Sequence, residues 1–409
     1  MAAEAPARTL PGFLSAFAFP SYRILWTGAF LSSVGTWTQD VALNWLVHER
    51  FLDPRYLGYR TFAADAPLIA FMVLGGAAAD RFDRRRILIA SQVLQMAFAA
   101  ALGVLYATGR LGVLPILLFA FLTGLAQSQS APTYQAVLTT LVPPAQIQSA
   151  VALNSLQFNL SRTIGPVLAG VLLVYAGAGW CFAVNALSFL AVIVSLARIA
   201  IPSPGLARSE TLGRSLAAGF RHVAASPPLR LYMALAGAGS FLAFPLITYL
   251  PVLAGDVLGA GARGYSQLLF WFGAGAIIGA LLTAHRGAAP ARGRALLLGF
   301  GGYGAAALVA VLVPWLSLAM VLLFLAGVSL VTAFSILNSL VQEAAPSEFR
   351  GRVVGIYGLF FRGGMPFGSL VAGFLVRAFG APLTLAAFSG LLAMMALVVS
   401  LRSRRMQAL

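Results

Sequence analysis

The chain has 409 residues, 60% of them hydrophobic and only 9% charged, with a mean hydropathy of +0.89. A soluble domain is about half apolar and a quarter charged, so a soluble globular fold is excluded. All 27 basic residues are Arg, the formal charge is +16, and Cys181 is the one cysteine; this removes the lysine of an ATP-hydrolysing loop, a lysine Schiff base, an internal disulfide and a thiolate metal cluster.

Apolar stretches of about 20 residues, enough to cross a hydrocarbon core, recur along the whole chain. Residues 1–22 are mixed and lack the apolar core and small-residue cleavage site of a secretory signal, so they are expected to stay in the cytoplasm. In the first span, 23–47, Ser33, Thr36, Asp40 and Asn44 recur at three or four residues and share one helical face. An ionisable group within a span costs about 2.5–3.5 kcal/mol on insertion scales and marks a functional position by default. For Asp40 two readings stand: a carboxylate for proton coupling or substrate contact, or a partner for a neighbouring helix. Asp65, in span 57–79, reads as a rim carboxylate, as a partner for an Arg such as Arg60, or as a second coupling group.

Between the second and third spans, "GAAADRFDRRR" crowds its charges into Asp80 to Arg86. A cluster of Arg in a short turn anchors that turn outside the bilayer. Spans 87–108 and 112–138 follow, the latter with Gln127, Ser130 and Tyr134. In span 149–176, Ser155, Asn159, Arg162 and Pro166 make a second polar face. Arg162 can bind an anionic substrate, neutralise a carboxylate or pin helices together.

Span 180–201 closes the first half, and "PSPGLARSETLGRSLAAGFRHVAASPPLR" follows as the longest polar break, at the midpoint of the chain. Spans 230–254, 265–285, 295–313, 316–341, 352–377 and 382–401 complete a set of twelve. Ser335, Asn338 and Gln342 lie on the tenth, and Arg362 lies on the eleventh in "FFRGGMPFG". The expected organisation is a cytoplasmic segment 1–22, a six-helix bundle 23–201, a linker 202–229, a second six-helix bundle 230–401 and a cytoplasmic tail 402–409. Arg residues collect on the side assigned to both termini, as the positive-inside rule requires, with anionic headgroups as their secondary contact. No stripe of basic and aromatic residues points to nucleic acid. His48, His222 and His285 show no metal-ligand spacing, so neither metal nor cofactor is expected.

A shift of 203 positions carries Pro143 onto Pro346, Gly165 onto Gly368, Gly170 onto Gly373, Gly177 onto Gly380 and Gly76 onto Gly279. Such an internal repeat predicts two parallel halves, an all-α membrane fold, and a midplane cavity reached by alternating access.

"GAAADRFDRRR" closely resembles the loop signature of the major facilitator superfamily between spans 2 and 3. Gly76, Asp80, Arg81, Arg84, Arg85 and Arg86 match it, and Asp83 stands where the signature has Gly. The resemblance implies a conformational latch, in which the aspartate pairs with basic groups and a helix start of the other half; Arg350 or Arg352 would supply the partner here. Asp tolerates a left-handed turn less readily than Gly, so Asp83 puts the usual backbone of that turn in question. "TWTQDVALNWLV", "ADRFDRRRILI" and "AVALNSLQFNLSRTIGPVLAG" resemble the enterobactin-exporter-like and macrolide-efflux-like branch, the transmembrane secretion effectors. The core of "RTIGPVLAG", with Gly165, Pro166 and Gly170, resembles the span 5 motif of drug antiporters. These resemblances imply a monomeric, proton-coupled exporter of an amphipathic small molecule in the bacterial inner membrane, with uptake by symport and a non-transporting sensor or scaffold as alternatives. No residue constellation of an enzyme is present.

Overall fold

The structure, a computed structural model, describes residues 12–81, 83–201, 212–286 and 291–402. Every apolar stretch forms its own helix: α1 (Pro20–Phe51), α2 (Arg55–Arg81), α3 (Arg84–Ala107), α4 (Val113–Thr140), α5 (Ile147–Tyr175) and α6 (Ala178–Arg198) in the first half of the chain. The second half holds α8 (Pro227–Thr248), extended by α9 (Leu250–Val252) and a π-helical turn Leu253–Val257, then α10 (Gly261–Arg286), α11 (Arg292–Leu312), α12 (Leu316–Ala344), α13 (Arg350–Phe379) and α14 (Ala381–Arg402). A shorter helix, α7 (Leu212–Ala225), occupies part of the polar break. Among the described residues, ten of the long helices are apolar enough to cross a membrane, namely α3–α6, α8 with its extension, and α10–α14. The fold is therefore that of a multi-pass all-α membrane protein. α1 and α2 exceed the spanning length at 32 and 27 residues.

Contacts divide the chain into two compact units, Met1–Leu46 with Ala63–Ala207, and Val47–Phe62 with Arg208–Leu409. In the first unit, small residues set the helix spacing. A Cβ on Gly28 or Gly35 of α1 would run into Ser195 or Ser188 of α6, and one on Gly124 of α4 into the Ala64 carbonyl of α2. Close backbone approach of this kind is how helices associate where no hydrophobic force acts between them. The segment before α1 is more ordered than its composition suggests: Gly12–Ala18 form a 3₁₀ helix on the start of α5. There Ala16 N–H donates to Ser149 Oγ (3.0 Å), Tyr22 to the Ala150 carbonyl (2.9 Å) and Trp26 Nε1 to the Leu153 carbonyl (2.9 Å).

In the second unit, Gly327 of α12 meets the Phe272 carbonyl of α10 as Gly124 meets Ala64, 203 positions earlier. The parallel extends to the backbone. Gly177 before α6 has φ 86° and ψ 164°, and Gly380 before α14 has φ 82° and ψ 158°, a left-handed geometry that costs only glycine nothing. Gly165 abuts Trp37 and Thr38 of α1, and Gly368 abuts Phe241 of α8, the residue that the same shift assigns to Thr38. The sparse sequence repeat thus marks equivalent helix crossings within each unit.

Ahead of α3 the backbone of Asp83 is extended, not left-handed. Asp83 has φ −60° and ψ 113°, and its carboxylate accepts the Arg86 N–H at 3.0 Å, so it is the N-cap of α3. Aspartate here supplies a cap that glycine would lack. Asp83→Ala is expected to cost about 1 kcal/mol and Asp83→Gly a few tenths, read as the thermal unfolding midpoint of purified protein in detergent.

Candidate functional site

Ser33 and Thr36 of the polar face of α1, and Thr38 and Gln39 beside it, make helix contacts inside the first unit. Gln157 of α5 donates to Ser33 Oγ (2.9 Å), Thr38 Oγ1 donates to the Gly165 carbonyl (3.2 Å), and Asn185 of α6 donates to Gln39 Oε1 (2.9 Å). Thr36 reaches Asn185 Oδ1 at 3.4 Å. These bonds fix the rotation of α1 against α5 and α6. Asp40 and Asn44 are half-buried on the same helix and are engaged by neighbouring groups.

Arg162 is half-buried on α5, and its guanidinium lies over the Trp37 ring, 5.7 Å from the centroid. Trp37 in turn meets Phe158 edge to face at 5.9 Å. A cation held on an indole face keeps its charge. Because Trp37 and Asp40 are three residues apart on α1, the cation and the carboxylate flank one stretch of helix surface. Asn159 bonds within its own helix, to the Ser155 carbonyl at 2.8 Å. Gly165 and Pro166 are buried, and Gly165 allows the α1 contact just described. Gly170 is buried as well.

Other sequence-derived positions are scattered. Asp65 is half-buried on α2, five residues from the buried Arg60. Gly76, Asp80 and Arg81 lie on the backbone of α2, but their side chains fall outside the described residues. Arg84, Arg85 and Arg86 open α3, where Arg85 donates to the Ala197 carbonyl of α6. In the second unit, Arg350 and Arg362 are exposed on α13. Arg352 is packed from an unexpected side: its guanidinium covers the Phe349 ring at 5.5 Å, that ring stacks on His222 of α7, and Gly219 of α7 lies against its Cβ.

A cluster that helical spacing does not mark sits where α1 turns into α2. Asp53 accepts the Arg55 N–H (3.0 Å), pairs with the Arg55 guanidinium (2.8 Å) and binds Arg377 of α13. The Arg55 hydrogen bond, helped by the charge of Arg377, holds its carboxyl below the usual carboxylate range, against a smaller opposing effect of burial. Next to it, His48 and Asp256 of the π-helical turn approach to 3.4 Å on the wall of a cavity of about 300 Å³ that Asp53 also lines. The one signal in the sequence is "LDPR", an Asp-Pro helix start. Nothing in the sequence places Arg377 beside it.

A family model described as transmembrane secretion effector matches residues 12–409. The chain is a transmembrane secretion effector of the major facilitator superfamily. This secretion effector is 26% identical over 372 residues to the multidrug efflux pump Tap of Mycolicibacterium fortuitum, covering 88% of this chain and 90% of that protein. It is 26% identical over 345 residues to the enterobactin exporter EntS of Escherichia coli O1:K1 / APEC, covering 83% and 81%. The staphyloferrin A transporter of Staphylococcus aureus (strain NCTC 8325 / PS 47) is 31% identical over 178 residues, a match that spans 42% of this chain and only 44% of that relative. Among solved structures, a POT family transporter in complex with 5-aminolevulinic acid superposes with a TM-score of 0.76 at 12% identity, covering 95% of the secretion effector and 97% of that chain. A point mutant of the nucleoside transporter NupG superposes at 0.73 and 14% identity, covering 92% and 99%. Both likenesses show the fold alone.

Proposed function

We propose that this secretion effector exports an amphipathic small molecule, of the drug, macrolide or siderophore class, by proton antiport and alternating access. The observation that carries export is the near full-length likeness to an efflux pump and a siderophore exporter. Coupling is assigned to Asp40, with Arg162, Asn159 and Asn44 contributing to the substrate surface; Asp65 and Arg362 are the remaining ionisable candidates. Protonation of Asp40 from one side and its release on the other would change the charge of the face as the protein changes orientation, so that each ligand biases the conformation it prefers.

In this reading twelve helices span the membrane, both termini are cytoplasmic, the bundles run over 23–201 and 230–401, and one chain suffices. The turn from Gly76 to Arg86 serves as the cytoplasmic latch, with Arg350 or Arg352 as its partner. The α7 contacts favour Arg350, which is the exposed one of the two. The test uses inside-out vesicles with an imposed pH gradient and a panel of siderophores, macrolides and lipophilic cations. Substrate-stimulated proton release is the expected result. Substrate flux without proton release from the wild-type protein would reject antiport.

A further inference from the structure

The segment Val47–Phe62, the tip of α1 and α2, packs as part of the second unit. Its seam with α8 and α13 is built from backbone approach. A Cβ on Gly58 would lie 2.8 Å from both the Ser369 carbonyl and the Tyr249 hydroxyl, and one on Gly373 would lie 2.5 Å from that hydroxyl and 3.2 Å from Arg55 Cα. Tyr249 donates to the Ser369 carbonyl (2.8 Å), and Thr248 shares a hydrogen bond with Ser369 Oγ (2.8 Å). Edge-to-face pairs flank it, Tyr59 with Phe374 at 6.0 Å and Phe62 with Phe367 at 5.4 Å.

This seam combines glycine approach, ring pairs and hydroxyl contacts, with Leu57 and Tyr249 fully buried in it. The charges stand at its end. Asp53 is 15% exposed and takes both Arg55, from its own segment, and Arg377, from α13. Arg377 stands across the seam from Asp53, and the Arg55 guanidinium also reaches α13, over the Phe374 ring at 5.9 Å from its centroid. Without Arg377 the mostly buried carboxylate would keep Arg55 but lose its partner on α13, whereas Arg377, 53% exposed, can return to solvent. The pair is therefore asymmetric: separation is resisted mainly by Asp53. Because the carboxyl is held below its ordinary value, the contribution is fully present above that value and is lost as pH falls from there through the depressed one. The carboxylate therefore stays charged across the neutral range, and the contact is not a proton switch.

We propose that Asp53 is a positioning residue: with Arg377 it clamps the α1–α2 tip onto α8 and α13, and release of this clamp uncovers the Tyr249–Ser369 seam during transport. The use of the clamp in transport rests on the function proposed above; the docking does not. The test is thiol labelling of purified protein in detergent, which needs neither flux nor a known substrate. Cys181→Ser removes the single native thiol, and Ser369→Cys places a reporter at a position with no exposed surface. Tyr175→Cys, 81% exposed, normalises reagent reactivity.

Asp53→Asn keeps the side-chain shape and the hydrogen bond to the Arg55 N–H but removes the charge. It is expected to raise the normalised labelling rate of the reporter about tenfold, as is Arg377→Gln, while Asp53→Glu and Arg377→Lys stay within about twofold of the parent. Arg292→Gln, which breaks the bidentate pair with Glu343 between α11 and α12, is expected to leave the reporter unchanged. Labelling of Asp53→Asn at the parental rate would overturn the proposal, and so would equal gains in Asp53→Asn and Arg292→Gln. A wild-type protein without measurable flux would remove the transport reading and leave the labelling contrast to decide the clamp.

Discussion

Gly368→Ala destabilises the protein by about 3 kcal/mol and Gly165→Ala by about 1–2 kcal/mol, whereas Gly355→Ala stabilises it by up to about 1 kcal/mol. The order follows from what each new Cβ meets. At Gly368 the obstacles are the carbonyl oxygen, carbonyl carbon and Cα of Phe241, all backbone of α8. None can rotate aside, so α8 and α13 must separate. At Gly165 the nearest atom is Trp37 Cβ, with Thr38 N at 3.2 Å, so α1 can rock slightly about the Thr38 hydrogen bond. Around Gly355 there is open space, and only a small gain in helix propensity remains. Detergent-solubilised protein followed by thermal unfolding and size exclusion gives the ranking. Equal midpoints for Gly368→Ala and Gly355→Ala would show that the α8–α13 crossing is not set by this glycine. Leucine at Gly368 or Gly165 is expected to abolish recovery of monodisperse protein.

These glycines also show how much of the fold is legible in the chain itself. Helix position follows from apolar run length, because a membrane helix must satisfy its backbone internally over a fixed thickness. The repeat of glycines at a 203-residue shift is legible for the same reason: Gly165 and Gly368 hold crossings that only glycine permits, and they survive where side chains have diverged. The polar stripe on α1 is legible as a face, but its use is not. Ser33 and Thr36 are hydrogen-bonded to α5 and α6, and helical spacing does not tell a cavity from a neighbouring helix. Asp83 departs from the signature for a local reason, since aspartate can replace glycine in a turn by becoming a cap with an ordinary backbone. The Asp53 clamp is invisible in the sequence because its partner Arg377 lies 324 positions away, and no periodicity reports a contact of that range.

Asp40→Asn is expected to lower substrate-stimulated proton release at least about tenfold, while exchange of labelled for unlabelled substrate across the membrane continues. Asparagine fills the same volume and retains one acceptor and two donors, so the contacts that engage Asp40 within the half-buried face have replacements. What it cannot do is alternate between neutral and charged forms. If Asp40 only joined α1 to a neighbouring helix, the amide would serve nearly as well and proton release would persist. The separation of the two activities therefore decides between the readings of this residue. Arg162 supplies an internal comparison. Its guanidinium is held over Trp37, three residues from Asp40, and does not titrate in a protein. Arg162→Gln should weaken coupling and exchange together, because it removes a fixed charge from the shared surface in both orientations. Loss of exchange in Asp40→Asn, with coupling and exchange falling in parallel, would place Asp40 with Arg162 on the binding surface and move the search for the titrating carboxylate to Asp65.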